Sequence, residues 1–173
     1  MRKLVALSML GLFGFSGSLA QAGFLDGYNA FRAGDYCKAR DEWKDDARSG
    51  DASAAFGMAE LYARGYCYKE DQRMASQWYL TAAIRGYARA RAEMGVRYAY
   101  GKGVQPDLFR SYVWLKAATS TTSSWDVESL KSIESNLVVI EPMVPSEMKK
   151  KAEEILVSFR KDYKLPREFE KLD

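Results

Sequence analysis

Two stretches of the chain decide the fold because one repeats the other: AAFGMAELYARG at residues 54–65 and ARAEMGVRYAYG at residues 90–101. The offset is 36 residues, and the match continues past the final glycine. The landmark residues that coincide are Ala54 with Ala90, Met58 with Met94, Tyr62 with Tyr98, Gly65 with Gly101, Asp71 with Asp107, Trp78 with Trp114 and Ala82 with Ala118. A fixed period of this length is typical of a helical repeat array.

A third copy precedes the two clear ones. At the same offset, Asp71 falls on Asp35, Ala75 on Ala39, Ala83 on Ala47 and Gly86 on Gly50. The sequence therefore predicts three repeat units, at residues 23–50, 51–86 and 87–122.

Each unit is predicted to contain two helices. The apolar residues of the first helix recur at a helical period. In unit two they are Ala54, Met58, Leu61 and Tyr62. Gly65 then supplies the C-terminal cap, where the backbone needs a positive φ. Asp71 or Asp107 opens the second helix as its N-cap. No alternating run bounded by hairpin turns predicts a strand.

These residues resemble a known family. The pattern Ala-x-x-x-Met-Ala-x-Leu-Tyr-x-x-Gly at residues 54–65, followed by Asp71 and Ala75-x-x-Trp78-Tyr79-x-x-Ala82-Ala83-x-x-Gly86, is similar to the Sel-one-like repeat (SLR). The SLR is a relative of the tetratricopeptide repeat that is common in exported bacterial proteins. Residues 27–39 resemble the shorter tetratricopeptide-like unit that often begins such chains. The resemblance implies an all-α, right-handed α/α solenoid.

The closing segment is predicted to cap this solenoid. Leu130, Ile133 and Leu137 share one face of a predicted helix with Trp125, and a second amphipathic helix follows Pro145. An end cap is needed because the last repeat of a solenoid otherwise exposes an apolar face. Residues 123–164 are therefore predicted to form C-terminal capping helices, and residues 165–173 a frayed tail.

The first 22 residues are predicted to be a signal peptide. Arg2 and Lys3 precede an apolar stretch that is too short to span a bilayer, and Ala20-Gln21-Ala22 predicts cleavage before Gly23. The full chain of 173 residues has a net charge of +3, and the 151 residues after the leader have +1. The mature protein is therefore expected to be periplasmic or secreted, without a membrane span. Its near-neutral charge argues against a nucleic-acid partner.

The composition supplies little catalytic machinery. The chain has no histidine, which removes the commonest general base and most transition-metal sites. Neither a calcium loop nor a phosphate-binding loop is present. The carboxylates of residues 41–46 alternate with basic residues and have the pattern of a charged helix face. No cofactor, metal ion or catalytic residue is predicted, and no carboxylates are expected to converge outside charged faces.

The two cysteines offer one candidate disulfide. Cys37 starts the second helix of unit one, and Cys67 lies in the turn of unit two. Stacked units bring such turns to one edge, and an exported chain meets an oxidising compartment, so a Cys37–Cys67 bridge is the hypothesis. Two separate buried thiols are the alternative.

The remaining function-bearing feature is the concave surface of a stacked array. The resemblance to tetratricopeptide-like units implies that ligand-facing residues lie on the first helices. These are Tyr28, Phe31 and Arg32 in unit one, then Ser53, Phe56, Glu60 and Arg64 in unit two, then Arg89, Ala92, Val96 and Tyr100 in unit three. Aromatic residues and arginines are enriched where binding energy concentrates. Packing against neighbouring helices is the alternative role for Phe31, Phe56 and Val96.

Together these observations predict a non-catalytic protein-binding module of the bacterial envelope. Its role within the family would be that of a scaffold, a regulator or a toxin-neutralising immunity protein. The alternative is an envelope enzyme that acts on peptidoglycan-like or β-lactam compounds, as some SLR proteins have been linked to such chemistry.

Overall fold

The structure is a computed structural model that describes residues 17–124 and 126–172. Over these ranges it contains helices and connecting turns but no strand. The helices are α1 (Gly17–Arg32), α2 (Tyr36–Ser49), α3 (Ala52–Arg64), α4 (Gln72–Ile84), α5 (Ala88–Tyr100), α6 (Leu108–Thr121), α7 (Val127–Ile140) and α8 (Ser146–Asp162). Short 3₁₀ turns follow at Glu141–Met143 and Arg167–Glu170. None of the described helices has the length and hydropathy needed to cross a membrane.

Consecutive helices pack against each other along the chain, from α1 with α2 to α5 with α6. The α7 and α8 helices both pack against α6, and α7 also contacts α5. This order confirms the all-α solenoid. Most of the predicted leader, with its positive and apolar parts, lies outside the described residues, and α1 runs through Gly23 without a break. Trp125 also lies outside them.

The predicted helix caps are confirmed. The Asp71 and Asp107 carboxylates accept hydrogen bonds from the backbone N–H groups of Met74 and Arg110, at 2.9 Å in both cases. Gly65 and Gly101 end α3 and α5 in the left-handed conformation. The repeated turn chemistry therefore sets the start and the end of equivalent helices in units two and three.

The core consists of small residues on the helices and large aromatic residues between them. Ala54, Ala75 and Ala90 are fully buried, so neighbouring backbones can approach closely. Trp114 and Tyr98 fill the space that remains in unit three. This alternation of small and large side chains explains why one sequence period yields a continuous core.

The Cys37–Cys67 bridge is confirmed. The two sulfur atoms are bonded, and the Cα atoms lie 5.0 Å apart. The bridge joins the first turn of α2 to the loop between α3 and α4, where Tyr36 and Tyr66 stack with their ring centroids 3.9 Å apart. The first two units are therefore joined both by a covalent bond and by an aromatic stack.

The expectation of a frayed tail is wrong for the described residues after Leu165. Phe169 is 1% exposed and contacts the rings of Trp114 and Phe109. The tail is anchored because a single aromatic side chain fills a gap beside α6. A lone aromatic residue has no period, so the sequence pattern did not indicate this contact.

Candidate functional site

Two adjoining cavities lie along the first helices of the three units. The cavity of about 200 Å³, here called the aromatic cavity, is lined by Phe24, Tyr28, Phe31, Trp43, Ser53, Phe56, Gly57, Glu60, Tyr87 and Arg89. The cavity of about 330 Å³, here called the polar cavity, is lined by Phe56, Glu60, Arg64, Arg89, Ala92, Glu93, Glu128, Ser129, Ser132 and Ile133. Phe56, Glu60 and Arg89 belong to both, so the two cavities form one continuous surface.

Trp43 of α2 fixes the shape of the aromatic cavity. Its indole Nε1 donates a hydrogen bond to the Phe24 carbonyl oxygen at 3.1 Å. Gly27 and Gly57 make room for the ring, because a Cβ atom on either residue would lie within about 2.5 Å of indole atoms. The ring of Phe31 lies 5.8 Å from the indole, centroid to centroid. The wall of the aromatic cavity is therefore formed by a hydrogen-bonded, closely packed indole ring.

Phe56 separates the two cavities. Its ring packs against Tyr87 and Tyr79 at centroid distances of 4.8 and 5.4 Å. The side chain is only half-buried, so part of the ring stays accessible. Phe56 thus packs against neighbouring helices, as the alternative expected, and also lines the surface.

Glu60 is held firmly in the wall of the polar cavity. One carboxylate oxygen accepts a hydrogen bond from Arg64 Nε at 2.7 Å, and the other accepts one from the Tyr79 hydroxyl. Burial, and then the negative charge of Glu60, strongly raises the pKa of the Tyr79 hydroxyl. Tyr79 therefore stays a neutral donor, and both Glu60 oxygens are already engaged.

Glu93 differs from Glu60 because it has no such partners. Its carboxyl group makes no hydrogen bond or ion pair within residues 17–124 and 126–172. Burial and then the charge of Glu60 raise the pKa of Glu93, against the opposing fields of Arg97, Lys102 and Arg64. The polar cavity thus contains a half-buried carboxyl group that lacks a counterion.

The α7 helix closes the polar cavity on its far side. Asp126 caps α7, accepting a hydrogen bond from the Ser129 N–H at 3.2 Å, and Ser129 and Ser132 of this helix line the cavity. Glu128 in the first turn is exposed, while Ile133 is buried in the core. The cap therefore contributes to the candidate surface as well as covering the last repeat.

The structure brings together eight of the eleven residues that the sequence assigned to this surface. They are Tyr28, Phe31, Ser53, Phe56, Glu60, Arg64, Arg89 and Ala92. Arg32, Val96 and Tyr100 line neither cavity. Arg32 and Tyr100 end their helices as exposed residues, and Val96 is half-buried. The binding role of all eleven stays a prediction.

Sequence reasoning missed several lining residues. Trp43 is on a second helix, and Glu128, Ser129 and Ser132 are on the cap. Of the missed residues, Glu93 could have been noticed from the sequence, because it places a charged side chain where the preceding unit has Gly57. The contribution of α7 depends on long-range packing, which the repeat period does not encode.

The expectation that no carboxylates converge is wrong. Glu60, Glu93 and Glu128 line one cavity although they are on three different helices. Helix packing brings them together in space, although they are far apart along the chain. Among the described residues, no group of His, Cys, Asp and Glu has an arrangement that could hold a metal ion.

Comparison with known proteins identifies the fold. No family model matches the chain. A crystal structure of c5321, a protective antigen present in uropathogenic Escherichia coli strains and displaying an SLR fold, matches 89% of this chain with a TM-score of 0.72 and 24% sequence identity. The chain has the SLR fold. At this identity the likeness establishes the fold alone.

The chitin synthase regulator SKT5 of Saccharomyces cerevisiae is 28% identical over 96 residues, or 54% of this chain. The chain spans only part of these two proteins: 32% of the E. coli protein's chain and 14% of the yeast protein.

Proposed function

We propose that the protein is a non-catalytic binding module of the bacterial envelope, which holds a protein partner on the surface formed by the aromatic and polar cavities. The observation that carries this proposal is the continuity of the two cavities across units one to three and the cap. Preformed concave surfaces with aromatic side chains and arginines are typical of binding hot spots. The regulator role in the name of the yeast relative and the SLR fold support the same class of function.

An envelope location agrees with the disulfide, because such bonds persist in oxidising compartments. Mass spectrometry of the protein isolated from periplasm or medium tests the leader. We expect a mature chain that begins at Gly23. A full-length chain retained in the cytoplasm would contradict the envelope location but not the binding surface.

The binding surface is tested by truncation of two exposed apolar side chains of α1. Tyr28 lines the aromatic cavity, and Leu25 lines neither cavity. The exported protein, with a photo-crosslinking residue beside the cavities, is used to capture partners from envelope extracts. Tyr28→Ala is expected to reduce capture about tenfold or more, and Leu25→Ala to leave it unchanged. Equal capture by both variants would contradict the assignment.

The carboxyl groups of Glu60 and Glu93 raise a second candidate, hydrolysis of peptidoglycan-like or β-lactam compounds. A carboxyl group with a raised pKa is what a general acid requires, and Glu93 has this property. However, both oxygens of Glu60 are engaged by Arg64 and Tyr79, which favours binding over catalysis. Hydrolysis of peptidoglycan fragments or a chromogenic cephalosporin by the wild type, abolished in Glu93→Gln, would reverse this preference.

A further inference from the structure

The chemistry of the two cavities narrows the kind of partner that they fit. We propose that they recognise an extended segment of the partner that carries an apolar side chain and, two residues away, a lysine or arginine. The apolar side chain occupies the aromatic cavity, and the basic group lies against Glu93 and Glu128 in the polar cavity. This inference rests on the proposed function and specifies its ligand.

The first argument is the size and lining of the aromatic cavity. Its volume of about 200 Å³ exceeds the ~150 Å³ of an apolar cavity that can bind benzene, so it accommodates a leucine or phenylalanine side chain. The indole of Trp43 is held out of this space because its N–H is bonded to the Phe24 carbonyl oxygen and its ring packs closely against Gly27 and Gly57. An apolar side chain that enters the cavity therefore contacts aromatic surface without reorganising the protein.

The second argument is the charge state of the polar cavity. Glu60 is already paired with Arg64, so these two opposite charges offset each other. Glu93 is half-buried without a counterion, which is costly, whereas Arg89 is exposed and solvated by water at little cost. An incoming cation repays the desolvation of Glu93, and Glu128 adds a second carboxylate at the cavity mouth. The charge complementarity of this cavity therefore favours a basic group.

The third argument is the spacing of the two cavities. They adjoin across the half-buried ring of Phe56, which lines both. In an extended chain, side chains two residues apart point to the same side at a separation of roughly 6 to 7 Å. An apolar residue and a basic residue with one residue between them can thus enter neighbouring cavities together.

A random peptide library tested on the purified exported protein checks this pattern. Three proteins are compared: the wild type, Glu93→Gln, and Glu134→Gln as a matched control at an exposed position of α7 outside both cavities. The wild type and the control are expected to enrich an apolar residue two positions from Lys or Arg. The Glu93→Gln variant is expected to keep the apolar preference and to lose the basic one.

Short capped peptides with Phe and Lys two positions apart, or Phe and norleucine, then quantify the effect. We expect a Kd about tenfold lower for the lysine peptide with the wild type and no difference with Glu93→Gln. A basic preference that survives in Glu93→Gln, or a preference for acidic residues, would overturn the inference. If the wild type enriches no peptide, or if Tyr28→Ala enriches the same peptides equally well, the proposed binding function itself fails.

Discussion

The α3 and α5 helices are equivalent elements of consecutive repeats, yet they are buried in different ways. At the offset of 36 residues, Ala55, Gly57 and Leu61 of α3 correspond to Arg91, Glu93 and Arg97 of α5. Ala55 and Leu61 are fully buried, and Arg91 and Arg97 are 2% and 3% exposed. The same fold position thus holds an apolar side chain in one unit and a charged one in the next.

The arginines of α5 are tolerated because each finds acceptors and an aromatic face. Arg97 Nη1 donates to the Gln72 and Lys102 carbonyl oxygens, and its guanidinium lies 4.4 Å from the centroid of the Tyr79 ring. Arg91 Nε donates to the Ala83 carbonyl oxygen at 3.0 Å. Burial lowers the pKa of Arg91 to about 10, so the group stays charged at neutral pH. Unit three is therefore joined to unit two by buried, hydrogen-bonded cations.

The α3 helix relies on other contacts. Gly57 admits the ring of Trp43, and the Cys37–Cys67 bridge holds the neighbouring turn. Units one and two are thus joined by close packing and a covalent bond, whereas units two and three are joined by buried charged side chains. One repeat architecture accommodates both kinds of junction. Each kind of junction should fail in its own way.

Removal of the disulfide should have the largest effect. The two cysteines are 30 residues apart, and closing a loop of this length is worth about 3 to 4 kcal/mol in the chain-entropy model. The Cys37→Ser/Cys67→Ser variant is therefore expected to lose this much free energy of unfolding, measured by urea denaturation. Reductant should destabilise the wild type equally and leave the double variant unchanged. A loss below about 1 kcal/mol would mean that aromatic packing alone secures the first junction.

Making α5 resemble α3 should have the next largest effect. Arg97→Leu introduces the residue found at the equivalent position 61, but it removes the hydrogen bonds that Arg97 donates to the Gln72 and Lys102 carbonyl oxygens and to Ser76 Oγ. We expect a loss of about 2 to 4 kcal/mol in the free energy of unfolding. Arg89→Leu on the same helix is the matched control, and it should cost less than about 0.5 kcal/mol because Arg89 is exposed. Equal costs would show that the buried hydrogen bonds contribute little.

The features that repeat could be predicted from the sequence, and those that do not repeat could not. The period, the aspartate N-caps and the glycine C-caps depend on residues close in sequence, as Asp71 and Gly65 illustrate. The disulfide followed from these, because aligned units bring Cys37 and Cys67 to one edge. Local chemistry repeated at a fixed offset thus determines the solenoid.

The candidate site was predictable only in part for the same reason. Residues on the first helices, such as Phe56 and Arg89, were found because their positions repeat. Glu128 and Phe169 were missed because the docking of the cap and the tail depends on contacts between distant residues. A side chain that occurs in one unit only does not contribute to the repeat pattern, however much it contributes to stability or binding.

Adding one methyl group to α3 tests the close packing of the first junction. A Cβ atom at position 57 would lie 2.5 Å from Trp43 ring atoms, so Gly57→Ala is expected to cost about 1 to 3 kcal/mol. The cost should fall close to zero in a Trp43→Leu background, since the colliding ring is then absent. Thermal unfolding of the four proteins of this cycle gives the coupling. Additive effects would contradict a direct contact between the two residues.

The smallest change in the free energy of unfolding is expected for substitution of Glu93, and this change should be stabilising. Glu93 is a charged residue of α5 that, unlike Arg91 and Arg97, makes no hydrogen bond within the described residues. Because the pKa of Glu93 in the folded protein is raised above its ordinary value of 4.5, folding favours the protonated group. Between about pH 4.5 and the folded pKa, the native state therefore binds more protons than the unfolded state, and stability is lost as the pH rises through the folded pKa. Glu93→Gln removes this penalty.

The variant should therefore be slightly more stable than the wild type at neutral pH, and the difference should vanish in acid, where Glu93 is protonated in both states. Melting temperatures measured across this pH range provide the check, with Glu134→Gln as the exposed control that should show no such trend. A variant less stable than the wild type at neutral pH would mean that the Glu93 carboxylate has a stabilising partner. The polar cavity would then have no unpaired carboxylate to offer a basic ligand.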